Sequence, residues 1–196
     1  MKDRSWFEDY REPSMFVKAA DILRQELNEH GFLVESGGSW RREAWLLGKF
    51  AVLQGANWCR LLKEDPPDGI IVKSNQEILI GITEFKANSE RTAVKLSRIL
   101  NHDKNKFLEE ELDEDVIWDP TEEILVDELI FIINKKKSKN YNAQINLLIY
   151  FNHSNFKYYN NKMIESSFYA ACEKSRANFP SIYLLLRDIV FVYPKN

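Results

Sequence analysis

Cysteine is scarce. The chain of 196 residues has two, Cys59 and Cys172, far apart in sequence. Two isolated cysteines build neither a disulfide framework nor a thiolate metal cluster, so they read as reduced, buried thiols of a cytoplasmic protein. Histidine is equally thin: His30, His102 and His153 are scattered, without the spacing that holds zinc. No GxGxxG or GxxxxGK[ST] run is present to cradle nucleotide phosphates, and the Gly37–Gly38 pair before a helix is a weak substitute. No apolar run approaches the ~20 residues that span a bilayer, which argues against a membrane partner. The start, MKDRSWFEDYREPS, lacks the apolar stretch of a secretory signal. There is no internal repeat. Neither sign of charge dominates, since 27 Lys and Arg face 30 Asp and Glu for a net charge of −3. That excludes a uniformly basic nucleic-acid binder but leaves a local basic surface open.

What is present is core-forming material. Hydrophobic residues make up 44% and aromatics 13%, enough for one domain over residues 1–196 with its own core. Ser14 is placed to cap a first helix, MFVKAADILRQELNEHG, closed by Gly31. Ser39 is placed to cap a second, WRREAWLLGKFAVLQ. Three strand candidates follow: WCRLLKE, DGIIV and EILIGITEFK, the last two joined by a polar turn at KSNQ. Asn88 or Ser89 can cap a third helix, ERTAVKLSRILNHDKNKF. The acidic EEELDED reads as a solvated segment. A fourth helix, DPTEEILVDELIFIINKKK, has Asp119 as cap, Pro120 in its first turn and lysines at its end. AQINLLIYFN is apolar throughout and fits a central strand. A helix, NKMIESSFYAACEKSRAN, and a last strand or strand pair, SIYLLLRDIVFVY, complete the chain. The order α-β-β-β-α-α-β-α-β predicts an α/β fold with a mixed sheet flanked by helices.

The stretch PPDGIIVKSNQEILIGITEFK sets charges at the ends of apolar strands. With a short turn at Asn75–Gln76, an antiparallel hairpin puts Asp68 opposite Thr83 or Glu84. Directly opposed Cβ atoms lie ~4.5–5.5 Å apart. Glu84 and Lys86 are two apart and share a face with Ile80 and Ile82. Neighbouring carboxylates repel unless a cation sits between them, and a hard divalent ion such as Mg²⁺ suits such oxygen donors. On the second helix, Glu43 stands one turn before Leu47 and two before Phe50, on the stripe that should face the sheet. It is open equally to a ligand role and to pairing with Arg41, Arg42 or Lys49. Arg91, Lys95, Arg98 and His102 recur at helical spacing on the third helix. That stripe reads either as a solvated face or as a contact for a phosphodiester backbone. A bland reading of Asp68 also stands, because Pro-Asp-Gly is a common turn.

Pro67–Asp68, followed on the next strand by Glu84–Phe85–Lys86, resembles the signature of the PD-(D/E)XK nucleases, the restriction-endonuclease-like superfamily. The resemblance covers roughly residues 40–152 and includes the αβββαβ element order. It implies a nuclease-like core over residues 38–152, an N-terminal helical extension over 1–37 and a C-terminal helix and strand over 153–196. It also implies that Asp68 and Glu84, aided by the Phe85 carbonyl, ligate Mg²⁺, with Mn²⁺ as a substitute. Lys86 would orient or activate water, and Glu43 would be the acidic residue that many members carry on the first core helix. The implied activity is metal-dependent phosphodiester hydrolysis of nucleic acid, DNA in preference to RNA, with Arg91, Lys95 and Arg98 on the backbone. A homodimer or a protein partner fits such a chain. The alternative is a non-catalytic nucleic-acid- or protein-interaction module on the same fold.

Overall fold

The apolar runs assemble into one six-stranded mixed sheet. The computed structural model describes residues 3–26, 39–63, 66–85, 121–138, 144–152 and 159–194. Within them the helices are α1 (Arg4–Glu8), α2 (Pro13–Glu26), α3 (Ser39–Leu53), α4 (Glu122–Lys137) and α5 (Asn161–Ser175). The strands are β1 (Trp58–Leu61), β2 (Gly69–Lys73), β3 (Gln76–Phe85), β4 (Ile145–Phe151), β5 (Ile182–Leu186) and β6 (Ile189–Tyr193). They lie side by side in chain order. β1, β2 and β3 form an antiparallel meander. β3, β4 and β5 run parallel, and β6 returns antiparallel along β5. The final apolar stretch is thus a strand pair, turning at Arg187, which takes a left-handed φ of 53°.

The N-terminal segment departs from expectation. A short helix, α1, was not foreseen; Asp3 caps it by accepting from the Trp6 amide. α2 begins at Pro13 rather than after Ser14. Proline suits a first helical position because its missing N–H is one of the unpaired donors there. Arg11 exchanges backbone hydrogen bonds with Cys59, so the N-terminal segment closes onto the free edge of β1. α4 is capped by Thr121, whose hydroxyl accepts from the Ile124 amide, and not by Asp119 with Pro120 in its first turn. Glu122 and Glu123 then occupy the first turn and Lys135 to Lys137 the last, in keeping with the helix dipole. The expected third helix lies outside the described residues.

Two apolar layers sandwich the sheet. On one face, Phe7, Phe16, Leu23, Leu47 and Phe50 of the first three helices pack on Ile71, Ile80, Ile82, Leu148 and Leu185. On the other, Leu125, Leu129, Ile133 and Phe168 pack on Leu147, Ile149, Phe151 and Leu184. β4 is covered on both sides, which is why its sequence is a continuous apolar run without alternation. Two glycines permit close approach. A Cβ at Gly48 would lie 2.9 Å from Phe16 Cδ1, so α2 rests directly on α3. A Cβ at Gly69 would lie 2.5 Å from Leu47 Cδ2 and 3.0 Å from the Arg60 carbonyl, so α3 sits against the start of β2.

Gly69→Ala therefore overpacks a buried contact and should destabilise the fold by about 1–3 kcal/mol in urea denaturation. An unchanged midpoint would refute the close packing of α3 on β2. The thiols supply a second test. Cys59 and Cys172 are free and buried, and burial pushes each from 9.0 up to about 12. The folded state favours the protonated thiol, so this contribution is complete below the ordinary value and is lost as pH rises toward the folded one. Stability should fall between those two values, and less steeply in a Cys59→Ala/Cys172→Ala variant. Parallel alkaline profiles for both proteins would contradict the burial.

Candidate functional site

The hairpin between β2 and β3 fixes where the acidic residues stand. Its turn is Ser74–Asn75, with φ of 51° and 62°, rather than Asn75–Gln76. Both residues are left-handed, the geometry that matches strand twist in a two-residue hairpin. The register follows from it: Lys73 pairs with Gln76 and Gly69 with Ile80. Asp68 is therefore not opposite Thr83 or Glu84. Its amide donates to the Ile80 carbonyl at 3.0 Å, although Ile80 is already the partner of Gly69. Two residues facing one is a β-bulge, and a bulge re-aims the side chain at its position. The Asp68 carboxylate accepts a short hydrogen bond from the Ile82 amide through Oδ2. Asp68 is 8% exposed. A carboxylate so buried must be matched by donors, and here a backbone N–H supplies one.

Glu84 lies two residues beyond Ile82 on β3. Its side chain is 11% exposed, and Arg42, 20% exposed, reaches it from the first turn of α3. Arg42 Nη1 donates to Glu84 Oε2 at 2.6 Å. From the other side Asn152, at the end of β4, donates through Nδ2 to Glu84 Oε1 at 2.6 Å. Both carboxylate oxygens thus hold a hydrogen bond, one of them charge-assisted. The Phe85 carbonyl accepts from the Asn152 amide at 3.0 Å, which continues the parallel ladder past β4. The Phe85 ring stacks on Phe151 on the opposite face of the sheet, at a centroid distance of 4.9 Å. β3 therefore sends Glu84 toward α3 and Phe85 toward the α4–α5 layer, as strand alternation requires.

α3 binds this arrangement together. Leu47 covers Gly69, the residue next to Asp68, and Arg42 covers Glu84. Glu43, between them along the helix, is half-buried. Trp45 meets Tyr150, the β4 register partner of Glu84, edge-on at 5.8 Å. Of the expected site residues, Glu43, Asp68, Glu84 and Phe85 fall in this one region. Lys86, Arg91, Lys95 and Arg98 lie outside the described residues. The sequence pattern points to Arg42 only as a partner of Glu43, and carries no signal for Asn152. The available signal is chemical: a carboxylate on the Ile80–Ile82 face requires a cation, and the helix facing it carries Arg41 and Arg42 in its first turn.

Among the described residues, no group of three or more His, Cys, Asp or Glu side chains is placed to hold a metal ion. Among the same residues, no helix is long and apolar enough to cross a membrane. Comparison with known proteins finds no matching family model, no matching curated protein and no matching solved structure.

Asp68 thus has a structural duty of its own. Asp68→Ala orphans the Ile82 amide and should cost about 1–3 kcal/mol, whereas Asp68→Asn retains an acceptor oxygen and should cost less. Urea denaturation of the two variants distinguishes them. Equal losses would mean that the bond to Ile82 does not hold β2 to β3.

Proposed function

We propose that this chain is a Mg²⁺-dependent nuclease-like hydrolase of cytoplasmic location, with a restriction-endonuclease-like αβββαβ core, acting on DNA in preference to RNA. The observation that carries the reading is the buried Asp68 carboxylate and the half-buried Glu84 carboxylate, tied to positions two residues apart on β3 beneath α3. The element sequence α3, β1, β2, β3, α4, β4, with β4 parallel to β3, supports it.

The donor chemistry fits a hard divalent ion. Both carboxylates offer oxygen only, and Mg²⁺ is commonly held by one or two carboxylates, with water and substrate phosphate completing its shell. The buried Asp68 and the half-buried Glu84, without a third acidic ligand among the described residues, suit that pattern. Asp68 and Glu84 would hold the ion, with the Phe85 carbonyl as a further oxygen and Glu43 at the rim. When bound, such an ion polarises a phosphoryl oxygen and lowers the pKa of its water. The chain's own residues do the positioning. Ile82 fixes the Asp68 carboxylate by its amide, and Asn152 fixes Glu84. Lys86 follows Glu84 by two positions and would orient the attacking water. Arg91, Lys95 and Arg98 would contact the phosphodiester backbone, which steadies the substrate without reading its sequence.

One observation favours the second reading, a non-catalytic nucleic-acid- or protein-interaction module. Glu84 is already neutralised by Arg42, and both of its oxygens hold a hydrogen bond. A homodimer or protein partner is compatible with either reading. Calorimetric Mn²⁺ titration of the wild type and of Asp68→Asn/Glu84→Gln, beside cleavage assays on plasmid and single-stranded DNA, decides between them. We expect binding in the wild type, its loss in the variant, and metal-dependent cutting. Binding without cutting would transfer the assignment to the interaction module. Absence of binding at millimolar metal would end the metal-site reading.

A further inference from the structure

We propose that Arg42 is a built-in competitor for the metal: it occupies Glu84 in the metal-free protein and is displaced from that oxygen when a divalent ion binds. The inference rests on the reading of Asp68 and Glu84 as a metal site and adds a residue that the nuclease signature does not contain. Its basis is the position of one atom. Arg42 Nη1 stands 2.6 Å from Glu84 Oε2. A hard divalent ion would stand about 2.0–2.6 Å from the same oxygen. Guanidinium and metal therefore claim the same shell.

Charge makes the two exclusive. Glu84 and Arg42 are both largely withdrawn from water, with side-chain exposures of 11% and 20%. Screening by solvent is weak there, so a fixed guanidinium and a divalent cation a few ångströms apart repel strongly. Asn152 does not share in this conflict. It donates to the other oxygen and carries no charge, so it can keep Glu84 in place while Arg42 moves.

The consequence for function is a two-state site. Without metal, Arg42 keeps a buried carboxylate from standing uncompensated, which would be costly. With metal, the planar, permanently charged guanidinium is released next to the ion. A phosphodiester is the partner that a guanidinium fork recognises best. The same residue thus serves as the closing cation of the empty site and as a phosphate clamp in the loaded one.

Two measurements test the inference, neither of which relies on turnover. In Mn²⁺ calorimetry, Arg42→Gln should bind metal roughly tenfold more tightly than wild type, the loss of one charge-assisted competitor expressed as an affinity. Arg42→Lys should fall between them. In the wild type, the Arg42 guanidinium NMR signal, assigned by its disappearance in Arg42→Lys, should shift as Mg²⁺ saturates the protein. This second measurement stands even where Arg42→Gln fails to fold. Metal binding with unchanged or weaker affinity in Arg42→Gln, or a guanidinium signal that stays still at saturation, overturns the competition alone. Absence of metal binding in wild type and in Arg42→Gln overturns the competition together with the metal site.

Discussion

Two carboxylates lie inside apolar walls, and the need to compensate them organises the centre of the molecule. Asp68 binds the Ile82 amide and Glu84 follows it by two, beside strands whose residues in the layer toward α3 are Ile71, Ile78, Ile80 and Ile82. An uncompensated carboxylate there would cost several kcal/mol, so each must recruit donors. Asp68 takes a backbone amide of β3, which it reaches because the chain bulges at its position. Glu84 takes a guanidinium from α3 and an amide from the end of β4. These polar ties fasten α3, β2, β3 and β4 at one place. They add to the register that the Ser74–Asn75 turn already sets.

The same place is closely packed. Gly69 next to Asp68 has no room for a Cβ because Leu47 fills it. α3 therefore cannot tilt away from the sheet without opening the contact at Gly69, and it cannot slide without breaking Arg42 from Glu84. Tight packing at one end of the helix face and a charged tether at the other hold the arginine to within a hydrogen bond of its carboxylate. Such preorganisation is what a binding or catalytic site needs from its scaffold.

Strand identity was legible because burial writes itself into composition: IVFVY, INLLIYF and QEILIGITEF are too apolar and too β-branched to be surface loops. The strand order was legible for the same reason. The geometry between them was not. A turn placed one residue too late shifts every cross-strand partner, and nothing in KSNQ reveals that Ser74 and Asn75 both take left-handed φ. The bulge adds a further displacement that no periodicity encodes. α1 escaped because a five-residue helix carries too little pattern to read. Arg42 and Asn152 escaped because their partner lies 42 and 68 residues away, and side-chain pairing at that separation is a product of the fold.

Formal charge ties the two halves of the functional reading together. Asp68, Glu84 and Arg42 by themselves carry one net negative charge, a modest burden for a largely buried group. A divalent cation would reverse the balance to one net positive charge. A buried site does not hold excess positive charge any more readily than excess negative charge. The reversal can be relieved by bringing in an anion, and a phosphodiester carries the single negative charge required. In the proposed mechanism, metal and substrate backbone would then bind with mutual reinforcement, each lowering the electrostatic cost of the other. Arg42 sharpens the dependence. In that proposal an incoming metal must displace it from Glu84, and a phosphate would then hold the released guanidinium. A site built this way would hold metal weakly alone and firmly with nucleic acid, which confines its reactivity to moments when substrate is present.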